Sequence, residues 1–158
     1  MKKKLISDFY NLEVKQLIDK RIWDLPILEK NEDIHNVLNI LGAKNHIWIV
    51  KDKKSKELVG VITEHDVLSI LAPKRSDVKS IHHGTAKIAG DIMSCREIIS
   101  CKKDEKIVDV LEKMTKHQLR RLPVLEDYIL IGEITLNQLI RKYYDASQYH
   151  FITNKEEG

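Results

Sequence analysis

A repeat within the chain constrains its fold more than any other feature. Residues 25–34 match residues 98–107, 73 positions later, and the match continues without a gap into the segment that follows. A second match, 72 positions apart, relates residues 60–66 to residues 132–138. A sequence that repeats in this way is expected to build one small unit twice.

The segment after the start of each copy has the apolar periodicity of a helix. In both copies, apolar residues fall at i, i+3, i+4 and i+7, a spacing that places them on one helical face. These residues are Ile34, Val37, Leu38 and Leu41 in the first copy, and Ile107, Val110, Leu111 and Met114 in the second. The pattern predicts one amphipathic helix per copy, with a single buried stripe.

Two apolar runs follow each helix and predict a pair of strands. Residues 47–50 and 122–125 are apolar, and each run ends in a charged pair that favours a turn. The runs at 58–63 and 130–135 predict the second strand of each pair, and a further helix follows. Each copy therefore reads as strand, helix, strand, strand, helix. Neither copy alone would bury both faces of its sheet, so we expect the two units to pack through their sheets.

This repeat divides the chain into two units and a linker. We place the first unit at residues 14–72 and the second at 88–144, with a linker at 73–87 that contains proline, glycine and polar residues. Residues 1–13 and 145–158 are terminal extensions.

Composition narrows the functional classes. No run approaches the roughly 18 apolar residues that a membrane span requires, and the amino terminus lacks the apolar segment of a secretion signal. We therefore expect a soluble, cytoplasmic protein. The net charge of +3 could help an anionic ligand to approach, but it falls short of the basic stripe typical of nucleic-acid binders.

The cysteines and the paired histidines do not indicate a metal site. Cys95 and Cys101 lack the paired spacing of zinc ligands and are expected to be reduced thiols, one in a turn and one in a strand. His82 and His83 lie in the linker with no third ligand nearby in the sequence, and we expect them to be solvated. The sequence predicts no metal ion and no required cofactor.

Two glycines occupy matching positions in the repeat. Gly60 and Gly132 each precede a Thr by three residues. We expect them to allow a close backbone approach or an unusual turn, whether or not a ligand binds.

Three motifs together resemble the CBS domain family, named after cystathionine β-synthase. They are Ala-Gly-Asp-Ile-Met at 89–93, Leu-Arg-Arg-Leu-Pro-Val at 119–124, and Gly-x-x-Thr-x-x-Asp at 60–66. The resemblance covers roughly residues 14–143. It implies an α+β fold in which two βαββα units form one disc-like module with pseudo-twofold symmetry, and often a homodimer. It also implies regulation by AMP, ADP, ATP, S-adenosylmethionine or another adenosyl ligand held in the cleft between the units.

Carried onto this chain, the family's ribose-binding positions are Thr63 and Asp66. An ionised carboxylate can accept hydrogen bonds from both hydroxyls of a cis diol. A structural alternative stays open, because a Thr followed three residues later by an acidic residue also forms a helix capping box. The second copy has Thr135 and Gln138 at these positions, which retains a capping pair but lacks the carboxylate. We therefore expect the complete site to use Asp66, and the other cleft to be weak, empty or differently used.

Basic residues near the strands are candidates for binding phosphate. The resemblance points to Arg121 or Arg120 before the strand of the second copy, and to His46 at the matching place in the first. Because consecutive strand residues face opposite sides, only one arginine can face the cleft, and we favour Arg121. His65 could add a charge-assisted bond, or could simply be solvated in the first turn of its helix.

Apolar residues of the first copy would form the walls of the site. Those expected are Leu25, Pro26, Ile47 and Trp48. Trp48 could stack on the adenine base or could instead belong to the core, because it lies in a strand that looks buried.

The sequence shows no catalytic arrangement. No nucleophile with a base and an orienting group is visible, and neither a Walker loop nor a dinucleotide fingerprint is present. We expect a regulatory ligand-binding module and not an enzyme. Two alternatives stay open, a nucleic-acid-binding module and a purely structural interaction module. Any output would pass through self-association or a separate effector protein.

Overall fold

The computed structural model describes residues 2–18, 22–71, 86–94 and 97–156. Most of the predicted linker, with His82 and His83, and also Cys95, lie outside the described residues. The elements are α1 (Lys2–Asn11), β1 (Ile27–Glu29), α2 (Ile34–Ala43), β2 (His46–Val50), β3 (Leu58–Thr63), α3 (Glu64–Leu71), α4 (Ile107–His117), β4 (Arg121–Glu126), β5 (Ile129–Thr135) and α5 (Leu136–Glu156). Three-residue 3-10 turns occur at Val14–Gln16, Ile22–Asp24 and Ala89–Asp91.

The first copy has the predicted order of strand, helix, strand, strand and helix. Its strands form one sheet in the order β1-β2-β3, in which β1 runs parallel to β2 and β2 runs antiparallel to β3. The predicted α+β class is confirmed. Asp33 is the N-cap of helix α2, and its side chain accepts a hydrogen bond from the backbone N–H of His35 at 2.8 Å. This bond satisfies one of the amide groups left open at a helix start.

The predicted apolar stripes are buried in both copies. Ile34, Val37 and Leu41 of α2 belong to one core cluster, and Leu38 packs against its edge. In α4, Ile107, Val110 and Met114 are buried in a second core cluster, and Leu111 packs against its edge. Periodicity of 3.6 residues therefore identified both buried faces.

The predicted first strand of the second copy is reduced to a single bridge. Cys101 pairs in parallel with Val124, donating its N–H to the carbonyl of Pro123 at 3.0 Å. In the first copy, the N–H of Trp48 donates to the carbonyl of Pro26 at 2.8 Å and extends the pairing. The repeat places Pro123 where Trp48 stands, and proline has no N–H to donate. The strand is shortened for this reason.

Each spatial unit is completed by a segment from elsewhere in the sequence. One unit, called here the three-stranded unit, comprises Arg21–Ile98 and Tyr128–Leu130. The other, the two-stranded unit, comprises Met1–Lys20, Ile99–Asp127 and Ile131–Gly158, and contains the β4-β5 sheet. The segment around Val14 therefore lies with the elements of the second copy. The segment around Ala89 lies with those of the first.

Matching backbone hydrogen bonds hold these segments in place. In the two-stranded unit, the N–H of Val14 donates to the carbonyl of Glu105 at 2.9 Å. In the three-stranded unit, the N–H of Ala89 donates to the carbonyl of Glu32 at 2.8 Å. The repeat relates Glu32 to Glu105, so the same bond is made twice.

The side chains that close these turns also match. The Oε1 atom of Gln16 accepts from the N–H of Glu13 at 2.8 Å. The Oδ2 atom of Asp91 accepts from the N–H of Ile88 at 3.0 Å. Asp91 belongs to the Ala-Gly-Asp-Ile-Met motif, and the structure shows that it closes the turn which docks this segment on the first sheet.

Gly60 makes room for the same segment. An added Cβ at Gly60 would lie 2.7 Å from the Sδ atom of Met93 and 3.3 Å from its Cβ. The N–H of Ser94 also donates to the carbonyl of Val61, at 2.9 Å, beside this contact. Gly60 is closely approached, although by the side chain of Met93 and not by a backbone, and the expectation for Gly132 stays a prediction. The approaching group is the docked segment.

The terminal extension contains a helix that the sequence analysis did not predict. Helix α1 packs against α4 and α5 within the two-stranded unit. Phe9 is buried and meets the ring of Tyr143 edge to face, with ring centroids 5.3 Å apart. Helix α5 is 21 residues long, so it continues well past the predicted end of the second unit at residue 144. Within the described residues, no helix is both long and apolar enough to cross a membrane.

Cys101 is a free and buried thiol. Burial raises the pKa of Cys101 to about 12, and the nearby negative charge of Glu105 acts in the same direction. The thiol is therefore kept protonated and chemically inert at neutral pH. The prediction of a reduced cysteine is confirmed at this position.

Candidate functional site

The predicted ribose-binding pair lies where β3 meets α3. The Oδ2 atom of Asp66 accepts hydrogen bonds from the backbone N–H of Thr63 at 2.7 Å and from the Thr63 hydroxyl at 3.1 Å. Both residues are half-buried. The carboxylate is thus fixed at the carboxyl end of β3. Asp66 also caps the start of α3, as the capping-box interpretation predicts.

The matching positions of the second copy form the same kind of cap. The N–H of Thr135 donates to the Oε1 atom of Gln138 at 2.8 Å, and the N–H of Gln138 donates to the Thr135 hydroxyl at 3.2 Å. The amide oxygen of Gln138 therefore does what the carboxylate of Asp66 does for the backbone. Capping requires an acceptor at this position. It does not require a negative charge.

His46 stands directly across the sheet from Thr63. The two residues are register partners at the ends of β2 and β3. His46 is 6% exposed, and its ring meets that of Trp48 edge to face with centroids 5.2 Å apart. The structure thus brings an imidazole, an indole and the Thr63–Asp66 pair together in the three-stranded unit.

Two of the four expected wall residues point to opposite faces of the sheet. Trp48 is 3% exposed and shares the face of His46, two residues away along β2. Ile47 is 0% exposed and lies on the other face, inside the core cluster that α2 covers. Ile47 and Trp48 therefore cannot line one surface of β2 together, and Ile47 is left out of the candidate site.

The remaining wall residues run alongside Trp48. Pro26 and Leu25 are half-buried, and the carbonyl of Pro26 accepts the N–H of Trp48 at 2.8 Å. This bond fixes the start of β1 beside the indole-bearing strand. His65, in the first turn of α3, is exposed, as the solvated interpretation of this residue predicts.

The two candidate arginines belong to the two-stranded unit. Arg120 is exposed and precedes β4, and its carbonyl accepts the N–H of Leu136 at 2.8 Å. Arg121 opens β4, and its Nη1 atom lies 3.0 Å from the Oε1 atom of Glu133 on β5. The side chains of this ion pair are 33% and 12% exposed. The arginine expected to bind phosphate is therefore already engaged by a carboxylate.

Glu133 was missed by the sequence analysis. It follows the glycine of the second copy, where the first copy has Val61. A charged residue in a strand where the repeat has an apolar one is the signal that could have identified it, since a poorly exposed carboxylate needs a partner.

Among the described residues, no group of three or more His, Cys, Asp or Glu side chains could hold a metal ion. A groove of about 560 Å³ lies between α1 and α4 and is lined mainly by apolar atoms. Its lining residues are Ile6, Ser7, Tyr10, Asn11 and Val108. None of the predicted site residues contributes to this groove.

The family model for the CBS domain matches the chain twice. The matched ranges are residues 14–73 and residues 89–145. Together they span well over half of the 158 residues.

Solved structures of CBS domain pairs resemble this chain. The CBS domain pair of protein MJ0100, solved in complex with 5′-methylthioadenosine and S-adenosyl-L-methionine, is 28% identical. The match covers 85% of this chain and 97% of that one, with a TM-score of 0.64. CBSX2 from Arabidopsis thaliana is 23% identical with a TM-score of 0.69, covering 87% of this chain and 98% of that one. At this identity CBSX2 shows the fold alone.

Curated relatives are longer proteins. Inosine-5′-monophosphate dehydrogenase of Methanocaldococcus jannaschii is 27% identical over 138 residues, which are 85% of this chain and 25% of that enzyme. The mitochondrial CBS domain-containing protein CBSX3 of Arabidopsis thaliana is 29% identical over 108 residues, 68% of this chain and 46% of that protein. The chain thus spans between a quarter and about half of these relatives.

Proposed function

This chain belongs to the CBS domain family, and we propose that it is a regulatory module that binds an adenosyl ligand through the first copy of the repeat. The observation that carries the proposal is the carboxylate of Asp66, which Thr63 fixes at the end of β3. Under this proposal the module senses its ligand and passes the signal on without catalysing a reaction.

The chemistry of Asp66 suits a ribose diol. A carboxylate can accept about four hydrogen bonds, and Asp66 receives two of them from Thr63. Those bonds hold its position before any ligand arrives, which lowers the entropy lost on binding. A diol would donate charge-assisted bonds to this group, and such bonds are stronger than those between neutral partners.

The apolar side chains next to β2 concern the place of the base, and Trp48, at 3% exposure, belongs to the core as one of the two interpretations predicted. Trp48 and His46 lie on one face of β2, and Pro26 adjoins them at the start of β1. An adenine ring offers a large face for such contacts and polar edges that backbone groups can pair with. Because Trp48 and His46 are buried, we propose the half-buried Leu25 and Pro26 as the apolar contacts of the base.

The repeat itself separates a ligand role from a capping role. Both copies keep an acceptor for the Thr N–H, at 2.7 Å in one copy and 2.8 Å in the other. Only the first copy uses a charged acceptor. Gln138 shows that the cap itself does not require a negative charge, and this difference between the copies favours Asp66 as the ribose-binding residue.

The solved relative at 28% identity supports the adenosyl class, since that CBS pair was obtained with 5′-methylthioadenosine and S-adenosyl-L-methionine. Both molecules carry an adenine base and a ribose with two free hydroxyls. AMP and ATP share these groups. We therefore propose the adenosine part as the common recognition element, and the substituent at the 5′ position as the variable part.

The test is calorimetry with S-adenosylmethionine, 5′-methylthioadenosine, AMP, ATP and, as the base control, GMP. Asp66→Asn keeps an oxygen acceptor for Thr63 but removes the charge. It should weaken adenosyl binding at least roughly tenfold, since a hydrogen bond to a charged group contributes about 1.5 to 3 kcal/mol. The ligand-free melting temperature should change little.

Gln138→Ala is the matched control. It should lower the ligand-free melting temperature by about 2 to 4 °C, because a lost helix cap costs about 1 kcal/mol. Its effect on ligand affinity should be small. Equal affinities of wild type and Asp66→Asn would remove Asp66 from the site. If no adenosyl compound bound at millimolar concentration, the structural-module alternative would stand instead.

A further inference from the structure

The turn between β2 and β3 and the turn between β4 and β5 meet within the three-stranded unit. Glu57 forms an antiparallel bridge with Ile129. Beside this bridge, the N–H of Leu58 donates to the carbonyl of Tyr128 at 3.0 Å. The two turns therefore present one continuous surface, which is called here the hairpin-tip surface and consists of residues 51–58 together with Tyr128 and Ile129.

Tyr128 has a backbone conformation that disfavours a bulky side chain. The β4-β5 turn consists of Asp127 and Tyr128, whose φ angles are 49° and 68°. Two-residue turns with positive φ at both positions favour glycine at the second one, and a bulky residue there is a steric outlier. The side chain of Tyr128 is 78% exposed, so packing within the chain offsets little of this cost. An exposed outlier of this kind favours a role for the ring in an interface.

Two lysines of the β2-β3 turn add positive charge to this surface. Lys53 and Lys54 are exposed, and in the part of the chain that the structure describes neither is in an ion pair. Their turn is held by Asp52, whose Oδ1 atom accepts from the N–H of Lys54 at 3.0 Å and of Ser55 at 2.7 Å. Because the turn is already ordered, a partner would lose less entropy in pairing with these lysines than with a flexible tail.

Carboxylates on the same surface disfavour a continuous polyanion. Asp52 and Glu57 lie in the turn that carries the lysines, and Glu57 is 3.9 Å from the Nζ atom of Lys51. A nucleic-acid strand or an anionic bilayer presents phosphates throughout, and these would meet the carboxylates as well as the lysines. A protein partner can instead place an acidic group opposite the exposed lysines and an apolar pocket around Tyr128. Tyrosine is also among the residues that contribute most to protein interfaces.

We infer that the hairpin-tip surface docks an acidic segment of a separate effector protein, with Tyr128 as the apolar anchor and Lys53 and Lys54 as the charges that pair with it. This contact would pass the signal of the module on. It does not rest on the proposed adenosyl ligand, because none of the residues proposed for that ligand belongs to this surface. The surface is small, so we expect weak, micromolar binding.

The test begins with phage display of random short peptides on the full chain, without any adenosyl ligand. The enriched sequences should combine acidic residues with at least one large apolar residue. The most enriched peptide is then synthesised with a fluorescent label, and its affinity is measured by fluorescence anisotropy. Enrichment of basic or uncharged sequences, or no enrichment at all, would overturn the inference.

Two variants locate the binding of this peptide. Tyr128→Asn should weaken it roughly tenfold or more, while the melting temperature should stay equal or rise, because asparagine tolerates the left-handed conformation. Lys54→Glu should weaken it about threefold or more. Lys116→Glu is the matched control, since Lys116 is an exposed lysine on α4, and it should leave the affinity unchanged.

Other occupants of the surface are outcomes of the same experiment. If phosphatidylserine vesicles or a thymidine oligonucleotide bind wild type but not Lys54→Glu, the surface serves a polyanion and the inference is wrong. It is also wrong if Tyr128→Asn halves the mass found by light scattering, because the occupant is then a second copy of this chain. A marked fall in the melting temperature of Tyr128→Asn would assign the ring to the stability of the chain instead. Failure of every adenosyl ligand to bind would leave this inference standing and remove only the proposed function.

Discussion

Gly60→Ala tests how the segment around Met93 completes the three-stranded unit. The new methyl group would lie 2.7 Å from Sδ, 3.2 Å from Cγ and 3.3 Å from Cβ of Met93. The sulfur can swing away because methionine is flexible, but its Cβ is tied to the docked backbone. We therefore expect a loss of about 1 to 2 kcal/mol, in the lower part of the range for overpacked cores.

A double-mutant cycle attributes this loss to the contact itself. In a Met93→Ala background the clash is relieved, and Gly60→Ala should be neutral or should stabilise the chain by up to about 1 kcal/mol, through the unfolded state. The coupling free energy should therefore be at least about 1 kcal/mol. The assay is urea unfolding followed by circular dichroism, with the midpoint and slope fitted for all four proteins.

Gly42→Ala is the control for glycine replacement in general. Nothing lies within 4 Å of an added Cβ at Gly42, in the last turn of α2. This variant should be as stable as wild type or more stable, because alanine is the better helix former. The reasoning is refuted if Gly60→Ala is as stable as wild type, or if it costs the same with Met93 and with Ala at position 93.

Two further predictions concern reactivity and assembly. Burial raises the pKa of Cys101 to about 12, so iodoacetamide at pH 8 should alkylate this thiol in urea but not in the native protein. Peptide mass spectrometry would show the difference, and alkylation in the native protein would contradict the burial. We also expect a homodimer, because Ile140 and Tyr144 on α5 are 57% and 58% exposed and self-association could cover them. Light scattering should then give twice the mass of one chain, and a strict monomer at high micromolar concentration would refute this.

The buried faces of the helices could be predicted because they depend on local spacing. Ile34 and Val37 are three residues apart, and a helix of 3.6 residues per turn places them on one face whatever lies opposite. The strands β2 and β3 were predicted for the same kind of reason. Their apolar runs are long enough to be buried and are separated by a charged turn.

Such patterns could not predict that the segment around Val14 lies with the second copy and the segment around Ala89 with the first. The bond between Val14 and Glu105 joins backbone groups that are 91 positions apart, and backbone groups carry no sequence signature. Helix α1 was missed for a related reason. Its first residues are lysines, and it is anchored by Phe9 in a core cluster formed with residues distant in the sequence, which no local pattern reveals.

The candidate site was predicted in part. Spacing in the motif located Thr63 and Asp66, and the structure places His46, predicted as a phosphate-binding residue, across the sheet from Thr63. Because consecutive strand residues face opposite sides, the sequence could have shown that Ile47 and Trp48 do not line the same surface. Predicting Glu133 as the partner of Arg121 would have required knowing which residues of β4 and β5 face each other.

Comparison of the two copies separates what the fold requires from what a ligand selects. A residue that does the same work in both copies, such as the acceptor for the Thr N–H, is accounted for by the fold, and either Asp66 or Gln138 can supply it. The cap therefore does not require a charge at this position, and the pair formed by Arg121 and Glu133 is replaced by His46 and Val61 in the first copy. A half-buried charge is costly unless something compensates it. Differences of charge at matched positions are therefore where selection by ligands should be sought. They predict that the two copies bind an adenosyl ligand with different affinities. Calorimetry that showed two identical and independent sites in wild type would contradict this reasoning directly.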